Sequence, residues 1–216
     1  NNKFGGVCIR DINNQLLIDI YFTTNLNKNK LYLNKGDFQF EDITDVAGVG
    51  GEKSWSTGVS LADINADGFL DIYVSNSGDI KGDNKQNELF INNGDLTFTE
   101  MANEYGLDDK GYSTHAAFFD FDRDGDLDCY LLNNSYKGGF RITSIGKDQR
   151  PVRDEVGGDK LFENDNGKFI DISEEAGIYG SVIGFGLGVT VGDANNDGWM
   201  DIYVSNDFFE RDYLYI

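Results

Sequence analysis

Residues 120–128, DFDRDGDLD, place carboxylates at the first, third, fifth and ninth positions (Asp120, Asp122, Asp124, Asp128) around Gly125. Glycine accepts a positive φ without steric cost, so the stretch reads as a tight turn. Gathering acids on one turn is unfavourable by itself: two carboxylates ~4 Å apart repel by roughly 4 kcal/mol at an effective dielectric near 20. The pattern therefore asks for a cation, and an all-oxygen donor set suits a hard one, Ca²⁺.

The same nine-residue pattern recurs. DINADGFLD begins at Asp63 and DANNDGWMD at Asp193, while a degenerate copy, DINNQLLID, begins at Asp11. In the second loop the expected ligands are Asp63, Asn65, Asp67, the main-chain carbonyl of Phe69, and Asp71. In the fourth they are Asp193, Asn195, Asp197, the carbonyl of Trp199, and Asp201. Asp126 holds the carbonyl position of the third loop, and its side chain is expected to face solvent. An EF-hand places a bidentate Glu at position 12, whereas Val74, Leu131 and Val204 stand there, so the acid at position 9 is expected to finish the shell. Solvated Asx turns explain one such loop; three copies with acids at positions 1, 5 and 9 favour about three Ca²⁺ sites. In the first copy Gln15 brings no charge and Leu16 replaces the glycine. Since Leu16 is expected to resist a left-handed turn, Asp11, Asn13 and Asp19 are predicted to bind Ca²⁺ weakly or not at all.

The turns sit inside a longer repeat. An apolar run enters each one (GVCIR, GVSLA, HAAFF, GVTVG) and another leaves it (DIYFTTN, DIYVSNS, DCYLLNN, DIYVSND), rich in β-branched and aromatic residues. A third run (KLYLNKG, ELFINNG, KLFENDNG) ends in Asn/Gly turns and begins again as DYLYI, and a fourth closes at Gly48, Gly106 and Gly177. Four short antiparallel strands per unit make the chain all-β and describe a β-propeller blade. The units fall at approximately residues 1–50, 51–108, 109–179 and 180–216, the last lacking its fourth strand. A propeller closes to hide its edge strands, so the chain is expected to be about half of a larger ring.

Composition limits the partners. A formal charge of −20 remains strongly negative even with three Ca²⁺ bound, which argues against nucleic acid or an anionic membrane surface. No apolar stretch approaches the ~20 residues of a membrane span, and no leader is visible at the N-terminus, as expected of a mature product or an excised fragment. Cys8 and Cys129 lie in strand-like runs without CxxC spacing and read as buried free thiols.

Two segments stand outside the repeat. Residues 133–158 form a long connection that gathers Lys137, Arg141, Lys147, Arg150 and Arg153 on an otherwise acidic chain. Long loops are often functional, so this is a candidate ligand surface; the alternative is a packed loop whose arginines pair with acids such as Asp154 and Glu155. In NDFFERDYL, Phe208 and Phe209 are candidate contact residues, or pack beneath further blades. The one histidine, His115, has no serine or cysteine nucleophile motif beside it and reads as a packed side chain.

The unit FGLGVTVGDANNDGWMDIYVSND and its relatives at residues 56–77 and 113–134 resemble FG-GAP/VCBS repeats, the calcium-binding blades of integrin α-like propellers. Phe185-Gly186 matches the FG element, Phe4-Gly5 offers it in the first unit, and Trp55 and Tyr112 hold the aromatic place elsewhere. The KLYLNKGDFQFEDITDVAGV and RPVRDEVGGDKLFEN segments look more like secreted FG-GAP proteins with an ASPIC/UnbV domain, the group typified by cartilage acidic protein. The resemblance implies a seven-bladed propeller, structural Ca²⁺ in the loops, and an extracellular, cell-surface or periplasmic setting with a protein or glycan ligand. The remaining blades would come from the parent chain or another chain. A propeller enzyme acting on glycans, or a scaffold subunit of a surface complex, is the competing class.

Overall fold

A computed structural model of the chain describes residues 5–53, 55–78, 85–136, 149–208 and 210–216. The chain divides into two compact units, Asn1–Lys110 and Gly111–Ile216.

The first unit holds two four-stranded antiparallel sheets with strands in chain order. One comprises β1 (Val7–Arg10), β2 (Asp19–Phe22), β3 (Lys30–Asn34) and β4 (Phe40–Asp42); the other β5 (Ser56–Ala62), β6 (Asp71–Asn76), β7 (Glu88–Asn92) and β8 (Phe98–Glu100). The second unit repeats the plan with β9 (Ser113–Phe119), β10 (Asp128–Asn133), β11 (Lys160–Asp165) and β12 (Lys168–Asp171), followed by a three-stranded sheet of β13 (Gly186–Gly192), β14 (Asp201–Asn206) and β15 (Tyr213–Tyr215). These are the up-and-down sheets of propeller blades.

In the first two blades the fourth apolar run departs from an all-strand reading. In the first blade it gives a three-residue strand and then a single helical turn, α1 (Thr44–Ala47); in the second the turn is α2 (Ala102–Tyr105). Gly48 and Gly106 are left-handed caps that end these turns, with φ of 76° and 81°. Gly48 and Gly106, expected to close strands, therefore close helical turns.

Apolar alternation builds the core of each unit. Tyr21, Leu31 and Leu33 of the first sheet, with Ile12 from its first turn, meet Val59, Ile72, Val74, Phe90 and Phe98 of the second. In the second unit Phe119, Tyr130, Leu132 and Leu161 meet Ile202, Val204 and Tyr213. Cys8 and Cys129 are free thiols; Cys129 is buried, and Cys8, half-buried, donates to the Val59 carbonyl (3.1 Å). His115 lies on β9 opposite Leu132, where burial holds its imidazole below the usual pKa.

A side chain just before the third strand secures the end of the second in every blade. Asn29 accepts the Thr24 amide (2.9 Å), Asn87 that of Asn76 (2.7 Å), Asp159 that of Asn133 (2.9 Å) and Asp212 that of Asn206 (2.9 Å). Each amide stands where the strand is leaving its ladder, so the side chain satisfies a donor that would otherwise be stranded.

Candidate metal centre

The four acidic loops are the hairpin turns from β1 to β2, β5 to β6, β9 to β10 and β13 to β14. The first aspartate organises each turn. Asp63 accepts the amides of Asp67 (3.0 Å) and Gly68 (2.9 Å), and Asp193 those of Asp197 (3.1 Å) and Gly198 (2.8 Å). Asp120 accepts those of Arg123 (2.6 Å) and Gly125 (3.2 Å). Positions 4 and 6 are left-handed throughout: φ is 57° at Ala66, 67° at Arg123 and 62° at Asn196, and 91°, 99° and 89° at the three glycines that follow.

The degenerate loop corrects the expectation for Leu16, which adopts the left-handed conformation with φ of 63°. Asp11 accepts the amides of Gln15 (3.1 Å) and Leu16 (2.5 Å), copying the intact turns. Aspartate-to-amide bonds thus outweigh the roughly 1–2 kcal/mol that a Cβ costs there, and Leu16 stands exposed. Leu16→Gly is expected to raise stability by about 0.5–1 kcal/mol, the relieved strain less the backbone entropy of glycine. Adding Gln15→Asp should raise Ca²⁺ stoichiometry by one in calorimetric titration; unchanged stoichiometry would show that this loop fails for another reason.

Position 9 is the buried end of each turn: Asp19, Asp71, Asp128 and Asp201 are 1%, 0%, 1% and 3% exposed. One oxygen accepts the amide at position 2, from Ile12 (3.0 Å), Ile64 (2.9 Å), Phe121 (3.0 Å) or Ala194 (2.7 Å). In three blades the other oxygen accepts an amide at the end of the third strand, from Asn34 (2.8 Å), Asn92 (2.8 Å) or Asn164 (2.9 Å). The second oxygen of Asp201 has no hydrogen-bond partner among the described residues. Burial pushes Asp71 and Asp128 up to about 6 against the pull of those amides. Ionising them at neutral pH therefore costs free energy that a nearby cation would offset.

The third loop has the densest acid cluster. Asp120, Asp122 and Asp124 each bring a carboxylate oxygen within 4.8 Å of the other two. Asp126 does not simply face solvent: it is half-buried, one of its oxygens is shielded without a hydrogen bond, and burial raises its pKa with help from Asp124, Asp122 and Asp120. In the second and fourth loops the Asn65 and Asn195 amides bond Asp67 and Asp197 (both 2.9 Å). The amides of Phe69 (2.9 Å) and Trp199 (2.8 Å) donate to the same two acids. Hard oxygen donors converge on one turn, and such a set fits Ca²⁺.

Position 4, with no expected role as a ligand, links neighbouring loops within each unit. Asn14 donates to the Gly68 carbonyl (3.0 Å), and the Arg123 guanidinium lies 4.2 Å from the centre of the half-exposed Trp199 ring. The signal in the sequence was only a variable residue, legible once the loops are seen side by side.

Of the five cations in the basic connection, Arg150 and Arg153 fall among the described residues, and both are engaged. Arg150 pairs with the buried Glu210 (2.7 Å). Arg153 donates to the carbonyls of Asp159 (2.7 Å) and Ile178 (3.3 Å), while Asp154 instead accepts the amides of Val156 (3.1 Å) and Gly157 (2.8 Å). The partners are thus other than the Asp154 and Glu155 side chains. Phe208 is exposed on one side and packs edge-on against Phe185 with ring centroids 4.8 Å apart. Phe4, Lys137, Arg141, Lys147 and Phe209 lie outside the described residues.

Comparison with known proteins matches the same repeats. Cartilage acidic protein 1 of Xenopus tropicalis is 28% identical over 209 residues, covering 93% of this chain and 28% of that protein. The Homo sapiens protein of the same name is 27% identical over 202 residues, with the same coverage. The chain thus spans under a third of these relatives. A solved structure described as showing specific recognition of non-reducing terminal N-acetylglucosamine by an Agrocybe aegerita lectin aligns with a TM-score of 0.47 and 21% identity, over 92% of this chain and 46% of that one. A family profile described as FG-GAP-like repeat matches residues 11–74, 77–131 and 152–204. These three segments run through all four acidic turns, and the chain belongs to the FG-GAP-like repeat family.

Proposed function

We propose that the chain is part of a calcium-stabilised β-propeller that acts outside the cell as a binding or adhesion module. The observation that carries this reading is the convergence of the Asp120, Asp122 and Asp124 carboxylates within 4.8 Å. Bound Ca²⁺ supplies positive charge between these acids and ties the entry of a hairpin to its exit. Millimolar extracellular calcium saturates weak oxygen sites that cytosolic calcium leaves empty, which favours an extracellular, cell-surface or periplasmic setting. Among the described residues no helix is long and apolar enough to cross a membrane.

Further blades, from the parent chain or another chain, complete the ring in this reading. Its support is the first sheet, where Val7 and Ile9 of β1 are 55% and 57% exposed, an apolar face suited to a neighbouring blade. The ligand is a protein or glycan, met away from the calcium turns.

Chelation tests the role of the ion. With free Ca²⁺ at 100 times its Kd, one site contributes about 2.7 kcal/mol, so EDTA should lower the melting temperature by roughly 5–10 °C per occupied site. Asp124→Asn should weaken Ca²⁺ binding yet leave metal-free stability within about 0.5 kcal/mol of wild type, because its side chain is exposed. An unchanged melting temperature in EDTA would sink the stabilising role. Protein and glycan arrays with the full-length parent, in Ca²⁺ and then EDTA, test the binding role separately.

A further inference from the structure

The residue that caps the end of each second strand differs chemically between blades. In the second blade Asn87 accepts the Asn76 amide through its oxygen, and its Nδ2 donates to the Tyr73 hydroxyl oxygen (2.9 Å), leaving the Tyr73 O–H to donate to the Leu107 carbonyl (3.0 Å). In the third blade the same place is taken by Asp159, 6% exposed. It has no donor when ionised, and the chain of bonds reverses: the Tyr130 O–H donates to Asp159 (3.0 Å). The carbonyl of Ile178, which stands where Leu107 stands, is taken by Arg153.

Asp159 is poorly compensated as an anion. Its two oxygens accept one backbone amide, from Asn133, and the Tyr130 hydroxyl. The charge of Arg153 acts on it, but the guanidinium is engaged with main-chain carbonyls, those of Ile178 and of Asp159 itself. From the fourth sheet Tyr213 and Tyr215 face the same pocket, with Tyr179 and Glu210 behind them, and Glu210 is already paired with Arg150. A buried carboxylate among hydroxyls, with no side-chain ion pair among the described residues, is costly.

We propose that Asp159 is a proton-sensitive staple of the third blade: as a carboxylic acid it supplies the donor that Asn87 supplies in the second blade, and as a carboxylate it loosens the junction of β10, β11 and Tyr130. Burial pushes its pKa from 3.8 up to about 7. Because the folded value lies above the unfolded one, the folded state holds the proton more tightly. The stabilisation is full below about pH 4 and is lost as pH rises through about 7.

The test compares the full chain with Asp159→Asn by urea denaturation from pH 5 to pH 8, at saturating Ca²⁺ and fixed ionic strength. Asparagine already fills this place in two blades, so the variant keeps a native pattern. The expected result is that the folding equilibrium of wild type falls relative to the variant by roughly a hundredfold across that range. A ratio constant within about threefold overturns the proposal. Carbon-13 NMR of the Asp159 carboxyl in wild type gives a second reading: an inflection near pH 7 supports the staple, and one below pH 5 refutes it whatever the variant does.

Discussion

Leu132→Ala is expected to lower the stability of the chain by about 3 kcal/mol, within the 2–5 kcal/mol typical of buried leucine truncations. Leu132 is completely buried among Phe119, Tyr130, Leu161 and Val204, so its removal leaves a cavity whose lining comes from paired strands that cannot close around it. The same side chain explains the glycine of the FG pair. A Cβ on Gly186 would overlap Leu132 Cδ1 and stand 2.7 Å from its Cγ and 3.0 Å from the Asn133 carbonyl oxygen. Gly186→Ala should therefore cost about 1–3 kcal/mol in wild type and clearly less beside Leu132→Ala, because the clash disappears with the leucine. Urea denaturation of the two single variants and the double variant measures that coupling. Strictly additive costs would mean that Gly186 is kept for its backbone and not for the space above it.

Gly158→Ala is the second large effect, and here nothing can yield. A Cβ at Gly158 would overlap the Gly180 carbonyl oxygen and approach that of Asp154 to 2.7 Å, both of them backbone. The connecting segments around it are pinned: the Asp154 amide donates to the Gly180 carbonyl (2.7 Å), that of Gly158 to the Asp154 carbonyl (3.1 Å), and Asn133 Nδ2 to the Gly158 carbonyl (2.8 Å). Making room breaks several of these bonds at once, so the loss should reach about 3 kcal/mol or more, above the usual overpacking cost. A midpoint of denaturation equal to wild type would show that the connection shifts freely at this point.

What the sequence made legible follows from what is local in it. The acidic turns announce themselves because ligand spacing and glycine placement lie within nine residues, and the flanking strands because apolar and β-branched runs recur at the same offsets. The one-turn helices were hidden in apolar runs too short for periodicity to separate strand from helix. The double role of Asp71 and Asp128 was hidden because their amide partners, Asn92 and Asn164, lie a strand away and are identified only by register. Arg150 illustrates the same limit: its acid, Glu210, is 60 residues distant, whereas the sequence pointed to the nearby Asp154 and Glu155 as partners. Leu16 was misjudged by weighing a residue's preference for φ without the two amides that Asp11 gathers behind it.

The Asp11 turn bears on how such arrays diversify. Its shape is kept by the aspartates at both ends, and on the calcium reading proposed above the acid missing at the fifth position, Gln15, decides only whether an ion is held. On that proposal, folding and calcium dependence are separate traits within one short segment. On the same proposal a lineage can lose an ion from a single blade, or regain it by two substitutions, without rebuilding a strand, so that the calcium threshold of a whole array can drift blade by blade while its architecture stays put.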